Sequence, residues 1–388
     1  MLKSKNFGWY EITRNLAASF LAFLIATIII FVVARENANI ALKNFFLGAF
    51  SSRHNFSKVV EDFIPMVFSG LAINIMFKSG LFSLAADSAF YMSGVVATAI
   101  AIGMPLPAGI HQIVILLAGA LVGGLLCLIP VVVRKYTGAH ELVTSMMLGY
   151  ITFNFGYWII REFFLDKNNG VFSTTFAATA TLCKMFKGTN IHFGLLIMAA
   201  AVIVMWIVVE KSRYGRELSF TGSNENFARY AGIEITTVII ISQFVGGFWA
   251  GLGGAVTMIG IFRTFQWVTP VDYVWDGILI NLLAGRKPLM IPLAAFFMSS
   301  LRVGANIMSR VGHVDSELVA IIQAIIILLI ASERFLYRMK QRKEEREALL
   351  NRTSNSIQNE EVQIEEVQIE GIKVEGIKIE DVPGSSQS

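Results

Sequence analysis

Runs of about twenty consecutive apolar residues recur along this chain, the first being NLAASFLAFLIATIIIFVVA at 15–34. About 20 helical residues cross a hydrocarbon core roughly 30 Å thick. Inside lipid every backbone N–H and C=O must find its partner within the protein, which leaves helices and closed barrels. Barrel strands alternate polar and apolar residues over about ten positions, whereas these runs are continuous. The fold class is therefore an all-α polytopic integral membrane protein, and a composition of 55% hydrophobic and 15% charged residues agrees. The first run is longer than the core of a secretion signal and lacks a clear small-x-small cleavage site, so it reads as a retained span.

Ten membrane segments are expected, at about 15–34, 59–77, 81–102, 110–133, 142–160, 191–210, 235–259, 271–284, 289–307 and 317–332. Two invite a broken or re-entrant form, which is tolerated where backbone faces protein or a cavity. The segment at 81–102 holds Asp87 and several small residues; that at 271–284 is short and holds Asp276. Basic residues concentrate in cytoplasmic loops. Lys78, Arg134, Lys135, Lys211, Arg213, Arg216, Arg229, Arg286, Lys287 and the run from Arg334 to Arg346 fall on one side, with Lys3, Lys5 and Arg14. The opposite loops, 35–58 and 161–190, carry their charges thinly. Both termini are accordingly expected in the cytoplasm, with the chain in the cell inner (cytoplasmic) membrane. It divides into a cytoplasmic N-terminus (1–14), a transmembrane domain (15–335) and a cytoplasmic tail (336–388).

Ionisable residues inside spans are costly and commonly face a cavity or a partner. Asp87 and Asp276 are the candidates for a translocation path, with Asn74, Asn154, Gln243 and Asn281 as uncharged companions. The plainer alternative is a structural group bonded to a neighbouring helix. Arg302 lies near the outer end of its segment, where its long side chain can snorkel. Gly119 with Gly123, and Gly247 with Gly251, have the small-xxx-small spacing that lets helices approach closely. The glycine-rich VGGFWAGLGG, 245–254, lacks GxGxxG and a preceding strand, so it reads as helix packing, with the lining of a path where solute passes close to backbone as the alternative.

Between two of the apolar runs lies a polar stretch, GSNENFARYAGI, at 222–233. Ser223 is placed to cap a helix, Glu225 lies in its first turn, and Gly232 offers a left-handed stop. About two turns result, roughly 12 Å long, with Phe227, Ala228 and Ala231 on one face. Such a helix is marginal alone in water, so something must pack against it; the plainer alternative to a docking element is a loop helix lying on the membrane surface. Signatures of catalysis are missing: HELVT, 140–144, lacks the second ligand of a zinc motif, the five histidines have no ligand spacing, and Cys127 and Cys183 suggest neither metal nor disulfide.

The polar stretch resembles the cytoplasmic coupling helix of importer permeases in the branched-chain amino acid, simple sugar and nucleoside group of ABC transporters. The pattern there is close to G-x-N-x-x-x-A-x-Y-A-G-I, matched here by Gly222, Asn224, Ala228, Tyr230, Ala231, Gly232 and Ile233. LVTSMMLGYITFN, 142–154, is similar to the group's V-x-T-x-M-L-N-Y-I, and DYVWDGILINLLAGRKPL, 272–289, to its G-x-D-G-I-A-x-A-L-L-G-x-x-x-P. LFSLAADSAFYMSGVVA, 81–97, stands in place of F-N-I-G-A-E-G-Q-x-x-x-G, and there the chain departs. Ser83, Leu84, Ala85, Asp87, Ser88 and Ala89 replace most of that polar motif, and Gly149 replaces the Asn before Tyr150. The resemblance covers about 15–335 and is best to nucleoside-type permeases.

This resemblance implies a permease subunit that forms the path for a nucleoside or related small polar solute and couples to a separate ATPase. Phe227 and Tyr230 are then the expected aromatic anchors in that subunit, with Gly222 and Gly232 turning the chain at either end. Since no G-x-x-x-x-G-K-[ST] phosphate loop is present, ATP and Mg are expected on the partner and no cofactor on this chain. The implied partners are a cytoplasmic ABC ATPase, a second permease subunit (homo- or heterodimer), an extracytoplasmic solute-binding lipoprotein and the lipid bilayer, with no nucleic acid. The competing reading is a stand-alone secondary transporter, ion-coupled through Asp87 or Asp276.

The tail carries a pentad repeat, EVQIE, EVQIE, GIKVE, GIKIE, at 361–380. A period of five fits neither helix nor alternating strand, so disorder is expected. Addition of its V-x-I pairs to a partner's sheet edge is the alternative.

Overall fold

A computed structural model describes residues 31, 38–167, 173–185 and 188–312. Among these the protein is helical, with two isolated β-bridges, Leu165 to Ser173 and Lys184 to His192, in the loop that the charge pattern places outside. Eleven α-helices follow in order: α1 Ala38–Leu47, α2 Arg53–Lys78, α3 Ala85–Gly103, α4 Ile110–Thr137, α5 Glu141–Phe163, α6 Gly194–Trp206, α7 Arg213–Ser223, α8 Glu225–Tyr230, α9 Ile235–Ile261, α10 Tyr273–Leu283 and α11 Ile291–Gly312. A π-helical turn, Ile207–Lys211, extends α6.

Eight of the ten expected segments lie in the described residues, and each coincides with a helix. The segments at 15–34 and 317–332, the N-terminus 1–14 and the tail 336–388 lie outside them. Among the described residues, six helices are long and apolar enough to cross a membrane. The remaining two expected spans differ for separate reasons. The α5 helix has 23 residues but carries Thr144, Thr152, Asn154 and charged ends, which dilute its hydropathy. The α10 helix has 11 residues, about 16 Å of rise against a core of roughly 30 Å, so it is not a full span. Residues 85–103, in contrast, form one unbroken helix, and the break expected there is confined to the turn before Ala85.

The centre of the bundle is α2. Every residue from Ile64 to Met76 is buried, so this helix is apolar all round and enclosed by α9, α10 and α11. The tightest seam is between α4 and α9, where the two glycine pairs meet face to face. A Cβ on Gly123 would lie 2.8 Å from Gly251 Cα, and one on Gly119 would lie 2.8 Å from Ala255 Cβ. The rest of the VGGFWAGLGG segment packs in the same way, Gly246 against Met76 and Gly253 against Phe68. The small-residue spacing read in the sequence is therefore a helix seam.

Candidate functional site

Two places hold the residues singled out above. The first is a helical hairpin at the end of the bundle where Lys78 lies. Ser212 ends the π turn and caps α7, its Oγ accepting the Gly215 N–H at 3.0 Å. Asn224 then caps α8, its Oδ1 accepting the Phe227 N–H at 3.1 Å. The expected cap, Ser223, is instead the last residue of α7, with its hydroxyl donating to the Phe220 carbonyl at 3.1 Å. Both residue types cap helices, and only the side chain's reach to the third N–H separates them. At the far end Gly232 has φ +76°, its N–H bonds the Arg229 carbonyl at 3.1 Å, and the Ile233 N–H bonds the Ala228 carbonyl at 3.0 Å. That pair of bonds is a Schellman motif, so the left-handed stop is as expected.

Gly222 does something other than turn the chain. It lies inside α7, against the Lys78 carbonyl and Gly80, where a Cβ would come 3.0 Å from the Gly80 nitrogen. A side chain there would part α7 from the turn between α2 and α3. Of the six residues of α8 only Ala228 is buried. Phe227 is 54% exposed and edge-on to Phe220 at 5.7 Å, and Tyr230 is 94% exposed. The Glu225–Arg229 pair at 3.7 Å is exposed and adds little stability.

The second place is a partly open cleft of about 170 Å³, formed where α3, α5 and the start of α10 diverge. Asp87, in the first turn of α3, lines it with Tyr91, Tyr150, Phe153 and Trp275. The turn that leads into α3 is held by Ser145 of α5, whose hydroxyl accepts the Leu84 N–H at 3.0 Å. Asp87 Oδ1 is buried and has no hydrogen-bond partner.

The other expected path residues divide differently. Asp276 is ion-paired with Arg302 of α11, which also lies over the Tyr273 ring at 5.7 Å. Arg302 therefore does not snorkel; it clamps α10 to α11. Asn74 Nδ2 donates to Asn281 Oδ1 at 2.8 Å, buried between α2 and α10. Asn154 sits on the exposed face of α5 and donates to its own helix, at the Tyr150 carbonyl, 2.7 Å. So Asn74 and Asn281 are brought together, while Asp87, Asp276 and Asn154 occupy three separate environments. Sequence reasoning passed over Ser145, Phe153 and Trp275; the alternation of aromatic and small residues along α5 was the available signal.

The model of a family described as branched-chain amino acid transport system / permease component matches residues 55–331. The chain belongs to this family. The match takes in both the α7–α8 hairpin and the Asp87 cleft of this permease. The guanosine ABC transporter permease protein NupP of Bacillus subtilis is 29% identical over 289 residues, which span 74% of this chain and 83% of NupP. The glucose ABC transporter permease protein TsgB13 of Haloferax volcanii is 29% identical over 307 residues, 76% of this chain and 80% of TsgB13. The nucleoside ABC transporter permease protein NupB of Lactococcus lactis is 26% identical over 300 residues, 74% and 82%. The permease is accordingly a multi-pass membrane subunit, and all three relatives bear the name of ABC transporter permease.

Proposed function

We propose that this permease forms part of the translocation path of an ATP-driven importer for a nucleoside or related small polar solute. In this reading α8 docks on a cytoplasmic ABC ATPase that binds ATP and Mg. A second permease subunit completes the path, and an extracytoplasmic solute-binding lipoprotein delivers the solute. The arrangement requires both termini in the cytoplasm of a cell with the chain in its inner membrane, the side on which the basic loops concentrate. The observation that carries the proposal is the surface of α8. A six-residue helix fixed by caps at both ends holds Phe227 and Tyr230 away from the bundle. Exposed aromatic rings on a rigid support are what interface hot spots are made of. Two of the named relatives carry nucleoside-type names, which supports that solute class over a sugar.

Asp276 fits ion coupling poorly, because its carboxylate is already engaged by Arg302. The test is mild-detergent purification of the tagged chain from its native membrane, with co-purifying chains identified by mass spectrometry, alongside uptake by the same cells. An ATPase should co-purify with the native chain and be lost, together with uptake, in Phe227→Asp. Recovery of the chain alone in a preparation that still transports would overturn the proposal in favour of ion coupling.

A further inference from the structure

We propose that the Asp87 cleft is a specificity site for a planar heteroaromatic group bearing an amino N–H, with Asp87 as the acceptor that selects it. The inference rests on the nucleoside reading above and names the part of the solute that is read. Shape is the first argument: a partly open cleft of about 170 Å³, with Phe153, Tyr150 and Trp275 supplying flat apolar surface. Polar satisfaction is the second. The Ser145 hydroxyl is committed to the Leu84 N–H and the Leu142 carbonyl, both at 3.0 Å. Thr152 donates to the Leu148 carbonyl at 2.8 Å, and Tyr91 to the Trp267 carbonyl at 3.4 Å. Asp87 Oδ1 and Ser88 Oγ are left unpartnered and enclosed by protein, and Asp87 Oδ2 is the carboxylate oxygen nearest the Gly149 opening. Oδ2 is therefore the atom that can accept an N–H from an occupant of the cleft.

Gly149 opens the way to that acceptor. A Cβ at 149 would stand 3.9 Å from Ser88 Oγ and 4.0 Å from Asp87 Oδ2. An Asn at this position, as in the pattern the segment resembles, would extend its amide from there towards the carboxylate and occupy the space. The departures at Asp87 and Gly149, far apart in sequence, thus act as one change: an acceptor is present, and the side chain that would have satisfied it is gone.

Adenosine and purine riboside differ only in the 6-amino group, and the base of the latter has no N–H donor. The full chain in lipid nanodiscs, assayed by equilibrium dialysis with labelled adenosine and competing purine riboside, should prefer adenosine by about tenfold, the effect of one hydrogen bond. Asp87→Leu removes the acceptor, and Gly149→Asn blocks it while leaving the carboxylate in place. Each should bring the ratio close to one, and Gly149→Asn supplies the answer if Asp87→Leu fails to fold. Equal affinities in the native chain, or a preference that survives both variants, would overturn the inference while leaving nucleoside transport intact. Failure to bind either nucleoside would also overturn it. Nucleoside uptake by the assembled transporter in cells then shows whether the nucleoside reading falls as well.

Discussion

Asp276 and Asp87 look alike in the sequence: each is an acid inside an apolar segment, followed by small and aliphatic residues. Their surroundings are opposite. Asp276 points into the bundle between α10 and α11 and meets Arg302, with Tyr273 over the guanidinium and Asp62 Oδ1 3.5 Å from the Tyr273 hydroxyl. Asp87 points into a cleft and leaves one buried oxygen without a partner. A carboxylate held by a guanidinium is structural, because its charge is compensated in place. An uncompensated one costs stability, and such costs collect where a ligand or a conformational change makes use of them. The counter-charge at Asp276 comes from the arginine 26 positions further along the chain, and no guanidinium is paired with Asp87 among the described residues.

Breaking the compensated site should have the largest effect on the fold. Arg302→Ala leaves Asp276 without its counter-charge in a low-dielectric setting, and loss of one member of a buried pair costs about 3 kcal/mol or more. The apparent melting temperature in detergent should fall by several degrees. The double variant Asp276→Leu with Arg302→Met removes both charges together and should recover most of that loss. A melting temperature unchanged in Arg302→Ala would show that the pair holds nothing together.

A neutral clamp nearby sharpens the comparison at smaller scale. Asn281→Ala removes the acceptor of the Asn74 amide, separating α2 from α10 by one interhelical hydrogen bond. Such bonds within membrane helices contribute about 0.6 kcal/mol on average. The expected drop is therefore a fraction of that in Arg302→Ala, measured in the same melt. A loss equal to that of the ion pair would mean that α10 is positioned by its amides rather than by its charge.

What the sequence made legible follows from the range of each signal. Apolar length and i, i+4 glycine spacing are local, and they located eight described helices and the α4–α9 seam. The Schellman stop at Gly232 was equally local. The cap of α8 was missed by one residue, because Ser223 and Asn224 are both good caps and only three-dimensional reach decides between them. Gly222 was read as a hinge, since spacing alone does not show the Lys78 carbonyl that it packs against. The difference between Asp87 and Asp276 was out of reach for the same reason. It depends on Arg302, Gly149 and Ser145, three residues on other helices that no periodicity links to either acid.

The smallest effect on the fold is expected at Asp87, and it is the most informative of the series. Asp87→Leu removes a buried oxygen that has no partner and replaces it with an apolar group of similar size. The desolvation cost of the carboxylate disappears and no hydrogen bond is lost with it. The melting temperature should be unchanged or should rise slightly, whereas the same kind of change at Asp276 alone strands the Arg302 guanidinium and should lower it. A loss of stability in Asp87→Leu comparable to that in Arg302→Ala would mean that a second charge or a donor reaches Asp87 in the folded membrane protein. The two acids would then belong to one class. Stability retained with solute selectivity lost would place the cost of the unpartnered oxygen in recognition rather than in folding.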